Sequence, residues 1–402
     1  MATRWGICSA GRISHDFTVA LKTLPHEDHQ VVAVAARKLE DAQEFATKHS
    51  ISRVYGSYEE LARDPDIDVV YIGVIHPYHL STCLLFTNAK KNVLCEKPLA
   101  MNTKEVKEIL SSAKRNDVFL MEAVWTRFFP ASVEIRRLVD QGEVGEVKMV
   151  RSEFGVPISH VPRSGQKELG GGAMLDIGIY CLQFICMVFN GEKPESIQAM
   201  GVCLETGVDE TLPNDAIIAG TKGNIRIPDH MWCPTALEVN GKETQYPVPE
   251  PYLPLNFLNS TGMRYEAEEV RQCLLKGLKE SAVVSHADSL LLAELEDEIR
   301  RQVGVVYSQG QQECNACHKY SDSWRGHFKQ TALHEDLFGG EVEPFDLGCN
   351  KFVRYIGRGV VSVHRYSPQV ALFKRSPQLH LNRRQYAHKH RPGSIHSKTG
   401  PP

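Results

Sequence analysis

Apolar residues in the first third of the chain fall in short unbroken runs, separated by helix-length stretches of mixed polarity. Val31-Val32-Ala33-Val34-Ala35-Ala36 and Val69-Val70-Tyr71-Ile72-Gly73-Val74 are apolar throughout, as strands are when a sheet is covered on both faces. Trp5–Cys8, Val54-Tyr55, Asn92–Cys95 and Val118–Met121 complete the predicted strands. Between them Ile13–Thr23, Leu39–His49, Tyr58–Arg63, Leu80–Ala89 and Thr103–Asn116 carry helical spacing. This alternation predicts an α/β domain, a doubly wound parallel sheet, over residues 1–124.

From residue 125 the rhythm changes. Helices are predicted at Ser132–Gln141, Met174–Asn190, Tyr265–Lys276 and Asp288–Val303, and strands at Glu146–Phe154, Glu195–Leu204 and Gly223–Ile227. That mixture predicts an α+β domain over residues 125–307 with an open, mostly antiparallel sheet. Residues 308–402 show little sustained periodicity and read as a disordered extension.

Composition sharpens this division. The 402 residues are 42% hydrophobic and 24% charged, ordinary values for a globular protein of two domains. The net charge of -3 hides an asymmetry: residues 308–402 hold 14 Lys+Arg against 7 Asp+Glu, and 8 of the 17 histidines. The extension is therefore basic, but the chain as a whole lacks the charge of a nucleic-acid binder. No membrane span and no signal peptide are read from the sequence, which predicts a cytoplasmic protein with reduced cysteines. Cys314-Asn315-Ala316-Cys317-His318 matches a haem-attachment pattern, and Cys349 and His327 could contribute to a zinc site. Both readings are set aside, and no metal is expected.

The candidate chemistry begins at the first turn. Ser9-Ala10-Gly11-Arg12-Ile13-Ser14 keeps only the middle glycine of a dinucleotide fingerprint, with serines at the flanks. The second strand ends in Ala36-Arg37-Lys38 where a carboxylate would select NAD, so the two cations favour the 2′-phosphate of NADP. Pro77 ends the next strand and starts the following helix, placing His76 and His79 beside the nicotinamide ribose. Lys97 follows a buried strand, where desolvation would lower its pKa. Asp176 and Tyr180 lie four residues apart on one helical face. A lysine, an aspartate and a tyrosine can move a proton to or from an alcohol, with Lys97 drawing the Tyr180 pKa down.

The phosphate turn after Gly6-Ile7, His76-Pro77-x-His79, Val93-Leu94-Cys95-Glu96-Lys97-Pro98 and Gly171-Gly172-x3-Asp176-x-Gly178-x-Tyr180 occur in an order and spacing that resembles the glucose-fructose oxidoreductase/inositol dehydrogenase (Gfo/Idh/MocA) family. The likeness covers roughly residues 3–307. It implies a Rossmann domain followed by an α+β domain whose open sheet forms a homodimer interface. It also implies NADP-linked oxidation of a sugar such as D-xylose, or of a cyclic trans-dihydrodiol to a catechol. Tyr180, Lys97 and Asp176 would be catalytic. The cofactor would be met by Ser9, Gly11, Arg12, Ile13, Arg37, Lys38, Tyr71, His76, Pro77, His79, Glu96, Lys97, Trp125 and Arg127. Two departures stand out. After Thr211 the chain lacks about two strands of the family's sheet, and nothing beyond Val306 matches. A catalytically impaired form, or a non-enzymatic NADP-binding regulator, is the alternative these departures leave open.

Overall fold

The computed structural model describes residues 2–156, 161–200, 214–309, 351–356 and 360–365. The haem-like motif, Cys349 and His327 lie outside the described residues.

The first half is the expected parallel sheet. Its strands β1 (Thr3–Cys8), β2 (His29–Ala35), β3 (Arg53–Tyr55), β4 (Val69–Ile72), β5 (Asn92–Glu96) and β6 (Leu120–Ala123) stand in the order β3-β2-β1-β4-β5-β6. Five helices connect them: α1 (Arg12–Leu21), α2 (Leu39–His49), α3 (Tyr58–Arg63), α4 (His79–Asn88) and α5 (Thr103–Asn116). The chain order reverses beside β1, so the crevice beyond the carboxyl ends of β1 and β4 is the ligand position for this topology. All four residues of β4 are buried, as an apolar run in a twice-covered sheet must be.

The second half packs α6 (Pro130–Asp140), α8 (Ile179–Val188), α9 (Met263–Leu275) and α10 (His286–Val303) with a second sheet, and a short helix α7 (Pro162–Gly165) lies before α8. Its strands are β7 (Val147–Glu153), β8 (Ser196–Met200), β9 (Ala216–Gly220), β10 (Asn224–Ile227), β11 (Ala236–Val239), β12 (Lys242–Gln245), β13 (Lys351–Ile356) and β14 (Val360–Arg365). They run β12-β11-β10-β9-β7-β14-β13-β8, antiparallel except where β13 meets β8.

Two expectations change here. The sheet is not shortened, and twelve residues of the expected disordered extension are strands within it. β13 and β14 form a hairpin between β7 and β8, in the gap that the missing strands would leave. The reason is the unpaired backbone of β7 and β8, whose edges need partners. The alternation in Val360-Val361-Ser362-Val363-His364 suits a strand. Residues 167–188 are, by length and composition alone, apolar enough to cross a bilayer. Their apolar window is 89% buried in this domain, so the stretch serves as the core helix.

Candidate active site

The two halves meet along the carboxyl ends of β1, β4 and β5, and the site is assembled there. At the first turn Ser9 adopts a φ of +92°, and Gly11 is the N-cap of α1 with no side chain closing the helix end. No acidic residue occupies the first turn of α1. Its first amides are left for a ligand, the donor arrangement that suits a pyrophosphate. A Cβ at residue 11 would come within 3.3 Å of the Ser9 hydroxyl, narrowing that cradle. Arg12 and Ile13 open the helix; Arg12 is exposed and donates to Asn256 Oδ1 at 3.1 Å. At the end of β2, Arg37 and Lys38 are exposed, with no ion pair among the described residues, and the Arg37 guanidinium lies 5.8 Å from the Tyr78 ring.

Beyond β4, Pro77 lies within a tight turn from His76 to Tyr78. His76 Nδ1 is 3.2 Å from the Gly170 carbonyl, and burial lowers its pKa to about 3, so the ring is neutral. His79 is fully buried, with Nδ1 2.7 Å from the Pro98 carbonyl and Nε2 3.0 Å from the Val74 carbonyl. It ties together the loops after β4 and β5. Its pKa falls through burial despite both carbonyls.

The loop Gly170-Gly171-Gly172 carries Asp176 into place. Gly172 has a φ of +143°, and a Cβ there would meet the Tyr307 hydroxyl at 2.5 Å. Tyr307 donates from that hydroxyl to the Gly171 carbonyl at 2.8 Å, clamping the loop. Met174–Gly178 then winds as a single π-turn before α8, an irregularity common where a helix aims a side chain at a site.

Three groups converge on this turn. Lys97, at the end of β5, donates from Nζ to the Asp176 carbonyl at 2.8 Å and lies 4.8 Å from the centre of the Tyr180 ring. Asp176 is 4% exposed and receives the Arg163 guanidinium at 2.6 Å and the Ser164 hydroxyl. Burial alone would raise its pKa; the charges of Lys97 and Arg163, with the Ser164 hydrogen bond, outweigh it and hold the carboxyl down at about 2. Lys97 itself is lowered by burial, with Asp176 pulling the other way.

Tyr180 accepts a hydrogen bond at its phenolic oxygen from the Trp125 indole N–H at 3.0 Å. Burial, then the charge of Glu96, push the phenol well above its usual value, and the Trp125 bond only tempers this. The expected lowering by Lys97 is therefore overridden: desolvation dominates, and the ammonium sits over the ring face.

Two residues of the expected set lie elsewhere. Tyr71 is 0% exposed, stacked on Phe17 at 3.7 Å, and donates to Glu96 Oε1 at 2.6 Å; it is a core residue that fixes Glu96. Arg127 is 2% exposed and bound to Asp288 at 3.0 Å, to Gln183 and to the Val283 carbonyl. Sequence reasoning missed an aromatic wall. Phe154 stacks on Trp232 at 4.1 Å and meets the Tyr180 ring edge-on at 5.5 Å. It also missed Arg163, Ser164 and Tyr307. The clustering of aromatics has no sequence period, because the members come from the end of β7, the loop after β10 and α8.

Both halves of the chain are similar to known proteins. Residues 3–124 match the oxidoreductase family with an NAD-binding Rossmann fold, and residues 132–225 match the GFO/IDH/MocA C-terminal domain. The trans-1,2-dihydrobenzene-1,2-diol dehydrogenase of Danio rerio is 69% identical over 334 residues, covering 78% of this chain and 100% of that protein. The Homo sapiens protein of that name is 48% identical over 331 residues, covering 77% of this chain and 99% of its own length. Among solved structures, levoglucosan dehydrogenase in complex with NADH and levoglucosan superimposes with a TM-score of 0.66 at 17% identity, covering 76% of this chain and 98% of that chain. A 3-ketoreductase from Actinomadura kijaniata in complex with NADP and TDP-benzene gives 0.60 at 21%, covering 75% and 98%.

Proposed function

Because the chain belongs to the Gfo/Idh/MocA family of NAD(P)-binding oxidoreductases, we propose that it is an NADP-dependent dehydrogenase of cyclic trans-dihydrodiols, with residues 1–124 holding the dinucleotide and 125–307 the substrate. The convergence of Lys97, Asp176 and Tyr180 on one π-turn beside the carboxyl end of β5 carries this reading. The relatives' names supply the substrate class. The stacked Phe154–Trp232 wall favours a flat ring over D-xylose, whose hydroxyls would lose hydrogen bonds against it. Arg37 and Lys38, exposed and without carboxylate partners among the described residues, support NADP over NAD. The seven described cysteines are buried, which suits the reducing cytoplasm; a homodimer through the open face of the second sheet accompanies this reading.

The first-turn amides of α1 and the Gly11 cradle fit the pyrophosphate of the dinucleotide, and the nicotinamide, when bound, takes the hydride. The chain's own part is the proton and the orientation. Tyr180 holds its proton at rest, so it is set to donate in the reductive direction. In oxidation it takes the hydroxyl proton only as phenolate, which the Trp125 N–H and the Lys97 ammonium favour. Asp176, ionised and fixed by Arg163 and Ser164, can accept from the second hydroxyl of a diol. Phe154 and Trp232 keep water from one face.

The test is direct. The full chain is mixed with NADP and a trans-dihydrodiol, and reduced-nicotinamide absorbance is followed. Catechol formation with NADP, and little with NAD, is expected. NADPH binding without turnover of any diol would return the protein to the regulator reading.

A further inference from the structure

The chain leaves α10 at Gly304, whose φ of +83° is the left-handed cap that lets it turn back. The Gly304 and Val305 amides both donate to the Arg300 carbonyl at 2.9 Å, and the turn returns Tyr307 to the helix it has just left. There the Arg300 guanidinium lies 5.3 Å from the centre of the Tyr307 ring. Both side chains are buried, and Arg300 is itself fixed by Asp297 at 2.5 Å.

This corner of the fold touches both loops of the Lys97–Asp176 centre. Arg300 donates to the Met101 carbonyl at 2.8 Å, on the loop that follows Lys97. Tyr307 donates to the Gly171 carbonyl at 2.8 Å, on the loop that precedes Asp176. Met101, Leu175 and Tyr307 also close a small apolar cluster of their own, and Leu175 is the neighbour of Asp176 in the π-turn. The glycine loop has no slack on its other sides. A Cβ at residue 170 would lie 2.9 Å from the Pro77 ring, and one at residue 171 would lie 2.6 Å from the Arg163 carbonyl. Burial raises the Tyr307 pKa to about 12, so the hydroxyl keeps the proton it donates.

We propose that Tyr307 is a positioning residue for the reaction: with Arg300 it holds the loop of Asp176 in register with the loop of Lys97. The inference rests on the dehydrogenase reading of the site. The quantity at stake is the 2.8 Å bond from Lys97 Nζ to the Asp176 carbonyl, together with the aim of the Asp176 carboxylate. Misplacing an orienting group by about 1 Å can cost about 100-fold in rate. One lost hydrogen bond moves the melting point of a chain this long by about 3 °C or less. Turnover should therefore suffer more than stability.

Tyr307→Phe keeps the ring and its apolar neighbours and deletes only the donor. In the full chain with NADP and a trans-dihydrodiol, kcat should fall about tenfold, while KM for NADP and the melting point stay near wild type. In an Asp176→Asn background the same change should cost less than about twofold, because the group it aims is already disabled. Hydrogen exchange of residues 170–178 gives a reading that needs no substrate. It should quicken in Tyr307→Phe while exchange in α10 holds. A kcat within twofold of wild type, an equal loss in both backgrounds, or unchanged exchange overturns the proposal. A wild-type chain that oxidises no diol overturns the dehydrogenase reading instead, and the exchange comparison then decides the hold on the loop by itself.

Discussion

Tyr180 gains nothing from being a phenol unless its proton can leave, and its surroundings make that hard. Its raised pKa means that oxidation should climb with pH. The logarithm of kcat should rise with a slope near one between about pH 7 and 9, since the phenolate fraction grows tenfold per unit below the pKa. Tyr180→Phe and Lys97→Met should each cost about 100-fold or more in turnover, and Tyr180→Phe should also flatten the profile. A steep profile surviving in Tyr180→Phe would move the base elsewhere. Trp125→Phe keeps the ring but loses the N–H at 3.0 Å, so the profile should shift alkaline and oxidation at neutral pH fall about tenfold. Lys97 stood out in the sequence because it is a charged group following a buried strand, and Asp176 and Tyr180 because they lie four residues apart on one helical face. Phe154 and Trp232 were not, because an aromatic at the edge of a core looks like any other core aromatic until its neighbours are known. Tyr71 and Arg127 show the converse: family position drew them to the cofactor, and burial removed them.

Among the elements, those with strong local signals were read correctly. α10 is a clear case: it starts at His286, two residues ahead of the expected Asp288, behind a reciprocal capping box of Ser285 and Asp288. The hairpin β11–β12 went unread although Asn240-Gly241, both at positive φ, is the turn pair that such a hairpin prefers. Its four-residue strands were too short to show alternation. α10 also hides a testable cost. Glu296 is 2% exposed, with one carboxyl oxygen unpartnered. Burial, against the pull of Arg300 and with the push of Glu122, raises its pKa to about 8. A carboxyl raised on folding contributes stability below its unfolded pKa, and that contribution is lost as pH rises through the folded value. Glu296→Gln should therefore stabilise the protein in mildly alkaline buffer, on the order of 2 kcal/mol, and little in acid. Denaturant melts across that range decide it; equal stability changes at both ends would mean that Glu296 does not titrate there.

At the scale of the molecule, the parallel sheet was legible because each of its strands is an apolar run next to its partner helix. The second sheet was not, because two of its central strands lie far downstream in a basic segment whose weak alternation carries no address. Their place can be tested through the backbone alone. Val353 pairs with Ile197 on one side and Val363 on the other, so Val353→Pro removes a ladder donor in the middle of the sheet. A loss of about 3 kcal/mol, read as a lower melting point, is expected. An unchanged melt would put residues 351–365 outside the sheet. The same change should leave the proposed preference for NADP intact in whatever protein stays folded.

This sheet also dictates a timetable. A growing chain that has left the ribosome as far as Gln309 has finished the parallel sheet, yet Met200 at the end of β8 still has no neighbour on the β7 side. The second half must wait, with raw strand edges, until Lys351–Arg365 is synthesised. During that interval the nascent protein is a natural client for chaperones, while its nucleotide half is already complete.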